Sequence, residues 1–450
     1  MDQNNGLDQG SEESDRALMR RVGLRIVPLV VLLYLVAYID RQNVGYAKLQ
    51  MLSSLGLSET AYGLGASLFF IGYLFFEVPS NFALYKFGAR RWLARIMLTW
   101  GVITLLLALT SSATMFYTLR FLLGAAEAGL YPGVIFYLSG WFPGRYRLRV
   151  LGLFTLGSSV GNMVGSLIGG IFLDLDGLGG LQGWQWVFIA TGIPAILLTY
   201  VTLRYLPESP ATARFLNGGE KARLAALMAA EARTVRRDIG RPLAHGPNPF
   251  AVLRDARVLG FALGYMLISM STYGVGYWLP TVVRGFGVSG TVNGLLNMIP
   301  WFFASVLLAW LPARLNGQRQ VARAAMVACA IGALCFIVGT LAASNVLRLA
   351  ALSIGAPCIY ILIPCFWTVP ARFLQGSAAA IGIAAINSLG NVGGFLAQNV
   401  MPWVGHLSGS ALAPLMVPAC CLLLFGGATF FVSRLAAFRA LDATDPANTV

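Results

Sequence analysis

Twelve apolar runs dominate this sequence, each about 20 residues long and so each able to cross a ~30 Å hydrocarbon core as a helix. They fall near 24–44, 62–84, 92–110, 114–139, 149–172, 184–205, 258–280, 291–311, 320–342, 346–370, 377–402 and 411–433. With 57% hydrophobic and 11% charged residues, the chain lacks the surface of a soluble domain, where about one residue in four is charged. In hydrocarbon a backbone must satisfy its own polar groups, which a helix does within one segment. The runs therefore read as an all-α membrane protein with twelve transmembrane helices.

Basic residues set the expected orientation. Numbering the segments between runs, those on the side of the N-terminus (the N-terminus itself, 85–95, 145–149, 204–257, 314–323, 372 and 434–439) hold 27 of the 32 Lys and Arg. By the positive-inside rule these segments are cytoplasmic. Both termini are thus expected inside, in a multi-pass inner (plasma) membrane protein. The net charge of +14 follows from topology and implies no nucleic-acid partner. The polar, acidic N-terminus and the unprocessed length of the first run point to a retained anchor and not a cleaved signal. Cys329, Cys335, Cys358, Cys365, Cys420 and Cys421 all lie in the last four runs without a C-x-x-C motif, and only two histidines occur. Plain buried thiols are expected, with no metal and no cofactor.

A hydrophilic stretch of about fifty residues, beginning "LPESPATARFLNGGEKARLAAL", divides the chain six runs plus six. The expected organisation is a six-helix bundle over 1–205, a cytoplasmic linker over 206–256 and a second six-helix bundle over 257–450. Within the linker, Glu220 to Arg237 has helical composition with Leu224, Leu227 and Met228 on one face. A short repeat supports two related halves: "SVGN" at 159–162 and "SLGN" at 388–391 each sit in the fifth run of their half. Both runs are rich in glycine, with Gly157, Gly161, Gly165 and Gly169 at four-residue spacing, and Gly382, Gly390, Gly393 and Gly394 in the partner. Small faces of this kind let helices pack closely, and equivalent helices of two repeats can line a shared cavity.

Charges inside apolar runs are costly and mark functional sites by default. At ~1.5 Å per residue, Asp40 lies ~24 Å along the first span, Arg120 ~9 Å and Glu127 ~20 Å along the fourth, so that with Arg41 they share overlapping depths. Arg120 and Glu127 are seven residues apart and share a helix face. The set is neutral, and the expected pairing is Asp40 with Arg120 and Arg41 with Glu127. Arg41, whose planar fork suits a carboxylate, is the candidate ligand clamp, and Asp40 and Glu127 are candidate proton carriers. Glu77, toward the end of the second span, reads as part of a structural network with Lys86, Arg90 and Arg91. No carboxylate occurs in any span of the second half. That half offers Tyr273, Tyr277, Asn297, Tyr360, Trp367, Asn387, Ser388 and Asn391, of which Asn387 and Asn391, four apart on one face, need polar partners.

The stretches "YIDRQNVGYAKLQM", "FFIGYLFFEVPSNFALYKFGARRWLARIMLTWG", "RFLLGAAEAGLYPGVIFYLSGWFPGRYRLR" and "TYGVGYWLPTVV" resemble the anion:cation symporter family of the major facilitator superfamily, in particular its bacterial tartrate and hydroxyaromatic-acid permeases. The resemblance covers nearly the whole chain. It implies two pseudo-symmetric six-helix bundles, alternating access and import of small organic anions with protons. The family's sugar-acid symporters use an Asp-Arg pair on the first helix and an Arg and Glu seven apart on the fourth, matched here by Asp40, Arg41, Arg120 and Glu127. Tyr38, Tyr73 and Asn387 match substrate-contacting positions, and Ser158, the repeat-mate of Asn387, matches a polar contact. The superfamily's loop signature departs here, with Asn81 and Tyr85 in place of Gly and Asp and Ala313 in place of Asp, while Lys86, Gly88, Arg90 and Arg91 remain.

The function expected is a proton-coupled symporter of a small carboxylate (a sugar acid, a tartrate-like dicarboxylate or an aromatic acid), acting as a monomer in contact with membrane lipid. An exchanger or uniporter with structural carboxylates is the alternative. An enzyme is not expected, since no nucleophile-base pair, metal cluster or phosphate loop occurs.

Overall fold

A computed structural model describes residues 2–239, 255–315, 318–370 and 377–434. It is helical throughout its described length: α1 (Asp2–Leu55), α2 (Glu59–Phe87), α3 (Ala89–Leu107), α4 (Ala113–Glu127), α5 (Leu130–Ser139), α6 (Gly144–Leu173), α7 (Gly183–Tyr205), α8 (Gly218–Ile239), α9 (Ala256–Arg284), α10 (Gly290–Trp310), α11 (Gln318–Leu341), α12 (Asn345–Trp367), α13 (Ser377–Ser408) and α14 (Met416–Arg434). Ten spans, one of them α4 and α5 together, are long and apolar enough to cross a membrane. The helices α3 and α13, of 19 and 32 residues, have the length to complete twelve. Each span replaces one apolar run. The first extends well beyond its run at both ends, carrying Lys48 on helical backbone.

Helix starts follow local chemistry. Ser58, Ser112 and Ser289 accept backbone N–H bonds from Ala61, Met115 and Val292, and Asp255 accepts from Arg257 N, each satisfying a donor that the first turn leaves open. Large apolar side chains such as Phe82 and Val346 remain exposed, as a lipid-facing surface requires.

The packing repeats between halves. In the first half span one packs on span five (α1 on α6), span two on span four (α2 on α4) and span three on span six (α3 on α7). In the second, α9 packs on α13, α10 on α12 and α11 on α14. The halves meet through the matched pairs α2 with α13 and α6 with α10, and through α1 with α9. This is the two-bundle fold expected. The glycine stripe of α6 faces α1: side chains at Gly161, Gly165 and Gly169 would press on Tyr38, Ile39 and Tyr46, and one at Gly157 would meet Val31 at ordinary contact distance. Its job is close packing inside one half. In α13, Gly390 and Gly393 face Tyr265 and Met266 of α9 in the same manner, whereas Gly394 faces Phe70 of the other half.

The helix expected in the linker is α8, with Leu224 fully buried. Arg223 of α8 pairs with Asp15 at 2.7 Å, and Glu220 pairs with Arg21, so α8 is tied to the N-terminal end of α1. Those bonds hold the Arg223 guanidinium above its ordinary pKa. The rest of the linker, 240–254, lies outside the described residues, as do Arg372 and the side chain of Ala313. All six cysteines are free. Contrary to expectation Cys420 is exposed and Cys335 only partly buried. Cys335 packs its Cβ against Gly355 of α12, while Cys420 turns outward.

Candidate functional site

Adjacent residues on a helix are turned ~100° from one another, so Asp40 and Arg41 cannot face the same way. Asp40 turns into the first half. Its carboxylate, 1% exposed, accepts from Asn43 Nδ2 at 2.9 Å and from the Trp100 indole N–H at 2.8 Å. Asn43 Nδ2 also donates to Thr191 Oγ1 at 3.0 Å, which joins α1 to α7. Arg41 turns toward the second half. Its Nε donates to Glu127 Oε1 at 2.9 Å, and its Nη2 closes the ion pair with the same oxygen. A second nitrogen, Nη1, donates to the Tyr273 hydroxyl on α9 at 3.3 Å. The guanidinium lies 5.1 Å from the ring centre of Tyr38, 5.7 Å from Phe69 and 5.9 Å from Tyr73, within reach of favourable cation–π attraction.

The pairing of Arg41 with Glu127 is thus as expected, and that of Asp40 with Arg120 is not. Arg120 donates through Nη2 to the carbonyl of Ala66 at 2.9 Å and sits 5.1 Å from the centre of the Phe69 ring. Neutral donors from α1 and α3 occupy one site on each oxygen of Asp40, and the Ala66 carbonyl holds Arg120 instead. Glu77 also departs from the expected network with Lys86, Arg90 and Arg91. Its two oxygens accept from Asn387 Nδ2 at 3.2 Å and Ser388 Oγ at 2.9 Å, both on α13. Arg90 instead approaches Glu208, at 3.8 Å. Helix α2 points Glu77 at the opposite half, while the basic residues lie a helix turn or more beyond it.

Between the halves lie two adjoining narrow cavities of about 40 and 90 Å³. They share Tyr38, Arg41, Phe69, Phe70 and Tyr273. Asp40 and Arg120 line the first, together with Gln42, Asn162, Tyr360 and Gln398. The second is lined by Tyr73, Ser158, Trp367, Asn387 and Asn391, with Tyr34, Tyr131, Thr155 and Tyr265. Glu127 is wholly buried behind Arg41. Arg41, Tyr38, Tyr73, Ser158, Trp367, Asn387, Asn391, Asp40 and Arg120 therefore converge on one place with Glu127 behind them, whereas Asn297 lines neither cavity and donates instead to the Asn293 carbonyl at 3.0 Å. Sequence reasoning gave no role to Gln42, Asn162 and Gln398, and left Tyr273 and Tyr360 among general aromatic candidates. Asn162 Nδ2 donates to the Tyr360 hydroxyl at 2.5 Å across the halves and accepts from Gln42 Nε2 at 2.8 Å. A signal for it existed, because Asn162 is the repeat-mate of Asn391.

Contacts between halves flank the cavities at both ends. On the side of the N-terminus stands Glu77 with Asn387 and Ser388. On the other side the Asp174 carboxylate accepts from the backbone N–H groups of Gly290 and Thr291, each at 2.7 Å, at the start of α10. Lys48 is a further buried cation, one that hydropathy alone placed outside the span. It is 1% exposed, pairs with Glu59 at 2.6 Å and sits 3.7 Å over the Trp278 ring.

Twelve spans in two repeats around a polar cavity with a buried ion pair in its wall define a membrane transporter, not an enzyme. The Major Facilitator Superfamily model matches residues 30–398, and the chain belongs to that family. It is 41% identical over 383 residues to a quinolone resistance transporter of Acinetobacter baumannii, covering 85% of this chain and 87% of that one. It is 39% identical over 431 residues to a putative tartrate transporter of Agrobacterium vitis, covering 95% and 97%. The crystal structure of a D-xylose-proton symporter matches with a TM-score of 0.69 at 15% identity over 91% of this chain and 96% of that chain. That likeness shows the fold.

Proposed function

We propose that the protein is a proton-coupled symporter importing a small organic anion by alternating access across the inner membrane, with both termini in the cytoplasm. The observation that carries this reading is the Arg41–Glu127 pair in the wall of the cavity. A guanidinium 17% exposed and a carboxylate fully buried form an arrangement that a ligand carboxylate can enter by competition. The substrate carboxylate takes the fork of Arg41. Glu127, left in a dry place without its counter-charge, takes up a proton. Linkage makes the relation reciprocal: a protonated Glu127 releases Arg41 and strengthens anion binding by the same factor. The proton also answers the membrane potential, which opposes anion entry by ~2.3 kcal/mol per charge per 100 mV. In this reading Asp40 and Arg120 hold the depth and charge balance around the pair, and Tyr38, Tyr73, Ser158, Trp367, Asn387 and Asn391 contact the rest of the substrate. The name of the A. vitis relative supports a carboxylate as cargo.

The test is uptake into proteoliposomes of labelled tartrate, gluconate and 4-hydroxybenzoate, with external pH recorded. Symport raises external pH as substrate enters and lets it accumulate against its gradient when the outside is acidic. Uptake without alkalinisation, dependent on internal anion, makes the protein an exchanger and ends the proposal.

A further inference from the structure

A thin layer of side chains parts the first central cavity from a third, larger space. That space, about 280 Å³, lies between the halves at the end away from the N-terminus, lined by Glu59 at the start of α2 and by Trp278, Pro402, His406 and Ala411 of the second half. Tyr277, the chain neighbour of Trp278, lines the first central cavity. Beside both rings stands the Lys48 ammonium, 3.7 Å from the centre of the Trp278 ring and 5.2 Å from that of Tyr277, and it donates to Thr281 Oγ1 at 3.3 Å. All three partners belong to α9. The Trp278 ring is held in place by its own N–H, which donates to the carbonyl of Ala411 at 2.8 Å. Elsewhere along this seam the halves meet backbone to backbone: a side chain at Gly63 would strike the carbonyl of Gln398, and one at Gly170 the carbonyl of Gly290.

Burying an ammonium costs solvation, which an aromatic face repays in part. Lys48 keeps Glu59, a residue of its own half, whether the halves touch or part, and exchanges only Trp278, Tyr277 and Thr281 for water. We infer that this layer is the outer gate of the transporter and that Lys48 is its counterweight, an ammonium nearly as well placed against Trp278 as in water, so that the mouth shuts without sticking. The inference rests on the alternating access and the orientation proposed above, and goes beyond them by naming the layer that must part. Two opposite effects follow. Loss of the ring leaves a buried cation with too little against it, and the mouth should stand open more often. Loss of the charge leaves an apolar side chain between aromatic walls, a seam that gains by staying shut, while Glu59, 41% exposed and on the wall of the third cavity, turns to water. A residue that merely packed the seam would loosen it on either change.

The experiment introduces Thr272→Cys in the wall of the first central cavity and follows its labelling by an impermeant maleimide in intact cells and in inside-out vesicles, over the background of the native cysteines in the protein without it. From outside, adding Trp278→Leu should speed labelling about tenfold. Trp278→Phe, which keeps a ring face, should stay within about threefold of the parent, and Lys48→Met should label more slowly than the parent. Faster labelling in both Trp278→Leu and Lys48→Met reduces the layer to packing and overturns the counterweight. Unchanged rates in both variants, from either side, overturn the gate and leave the transport reading, which uptake decides, intact. Acceleration by Trp278→Leu in the inside-out vesicles alone keeps the gate and overturns the orientation. If Trp278→Leu does not fold, the direction of the change in Lys48→Met decides by itself.

Discussion

In the first half, the helices around the cavity carry Asp40, Arg41, Lys48, Glu77, Arg120 and Glu127. In the second, the matching helices carry Tyr273, Tyr277, Tyr360, Asn387 and Asn391, and no acid occurs from Ala256 to Arg434. The packing of the two halves is the same, pair for pair, while their chemistry is divided. Around the cavity, four contacts between halves run from a charge on the first to a neutral group on the second, Arg41 to Tyr273, Lys48 to Trp278, Glu77 to Asn387 and Ser388, and Asp174 to the start of α10, beside the neutral pair Asn162 and Tyr360. The ion pairs that Arg41 and Lys48 form, with Glu127 and Glu59, stay within the first half. A charge facing a dipole is held less firmly than a charge facing its opposite, and it can be re-solvated with less loss. Halves joined in this way can separate and rejoin without pulling opposite charges apart in a dry place.

The division is tested most severely at Arg41. Arg41→Lys keeps the charge and loses the planar fork, and should remove most uptake, about 100-fold at limiting substrate, with the protein still folded by circular dichroism. A lysine variant with near wild-type affinity places the anion elsewhere. Glu127→Gln comes next. The ligand should still bind, since Arg41 is then free, with a flatter dependence on pH between 5 and 8, while accumulation driven by a proton gradient is lost. Concentrative uptake with an unchanged pH profile would move the coupling off this residue.

Inside the charged half, Trp100→Phe strips one donor from Asp40 and leaves a buried carboxylate short of a partner. A loss of about 1–3 kcal/mol in stability is expected, read as a lower thermal midpoint in detergent. Across the divide the effects should be smaller. Tyr273→Phe removes one neutral hydroxyl from Arg41, with an expected cost of about 0.5–1.5 kcal/mol in ligand binding. If it equals the cost of Arg41→Lys, the asymmetry between the halves is false.

The smallest effect is expected at Asp174. Slight burial pushes its carboxyl up, but hydrogen bonds from Thr291 and Gly290 outweigh this and leave it below the ordinary carboxylate value. A carboxyl whose folded value is depressed stabilises above its unfolded value and loses that contribution as pH falls through the folded one. The contact should therefore be constant from pH 5 to 8 and fade only below the usual carboxylate range. Because Asp174 is largely exposed, solvent screens the contact, and Asp174→Asn should cost no more than about 0.3–1 kcal/mol, read as faster labelling of a cysteine placed at Thr291.

How far all this was legible in the sequence depended on range. Spans were legible because hydropathy is a property of consecutive residues, and the Arg41–Glu127 pair because depth and helical phase could be counted along two spans. The Asp40–Arg120 pairing failed because the competing donor, Trp100, sits in a span where an indole looks like any core aromatic. Lys48 read as outside the bilayer because nothing local announces that Trp278, 230 positions away in the chain, covers it. Glu77 failed similarly: its partners on α13 are separated from it by 310 and 311 residues, and the nearby arginines offered a cheaper local story.

Among the described residues it is the fourth span that breaks. Helix α4 ends at Glu127, Ala128 leaves helical backbone with ψ 132°, and Gly129 takes φ 89° with Ser80 filling the space where a side chain would stand. Any other residue at 129 would be strained in that conformation and would collide with α2. The span is accordingly an elbow whose joint lies two residues past its acid, with one arm, α4, above the joint and the other, α5, anchored by the Tyr137 hydroxyl to the carbonyl of Pro207 at 2.7 Å. A change in what Glu127 holds need not tilt an entire rod. On the proposed reading it can flex the joint, so that the lower arm follows the start of the linker while the upper arm stays packed on Phe69, and a substrate event at mid-depth reaches the N-terminal side of the bundle as a bend.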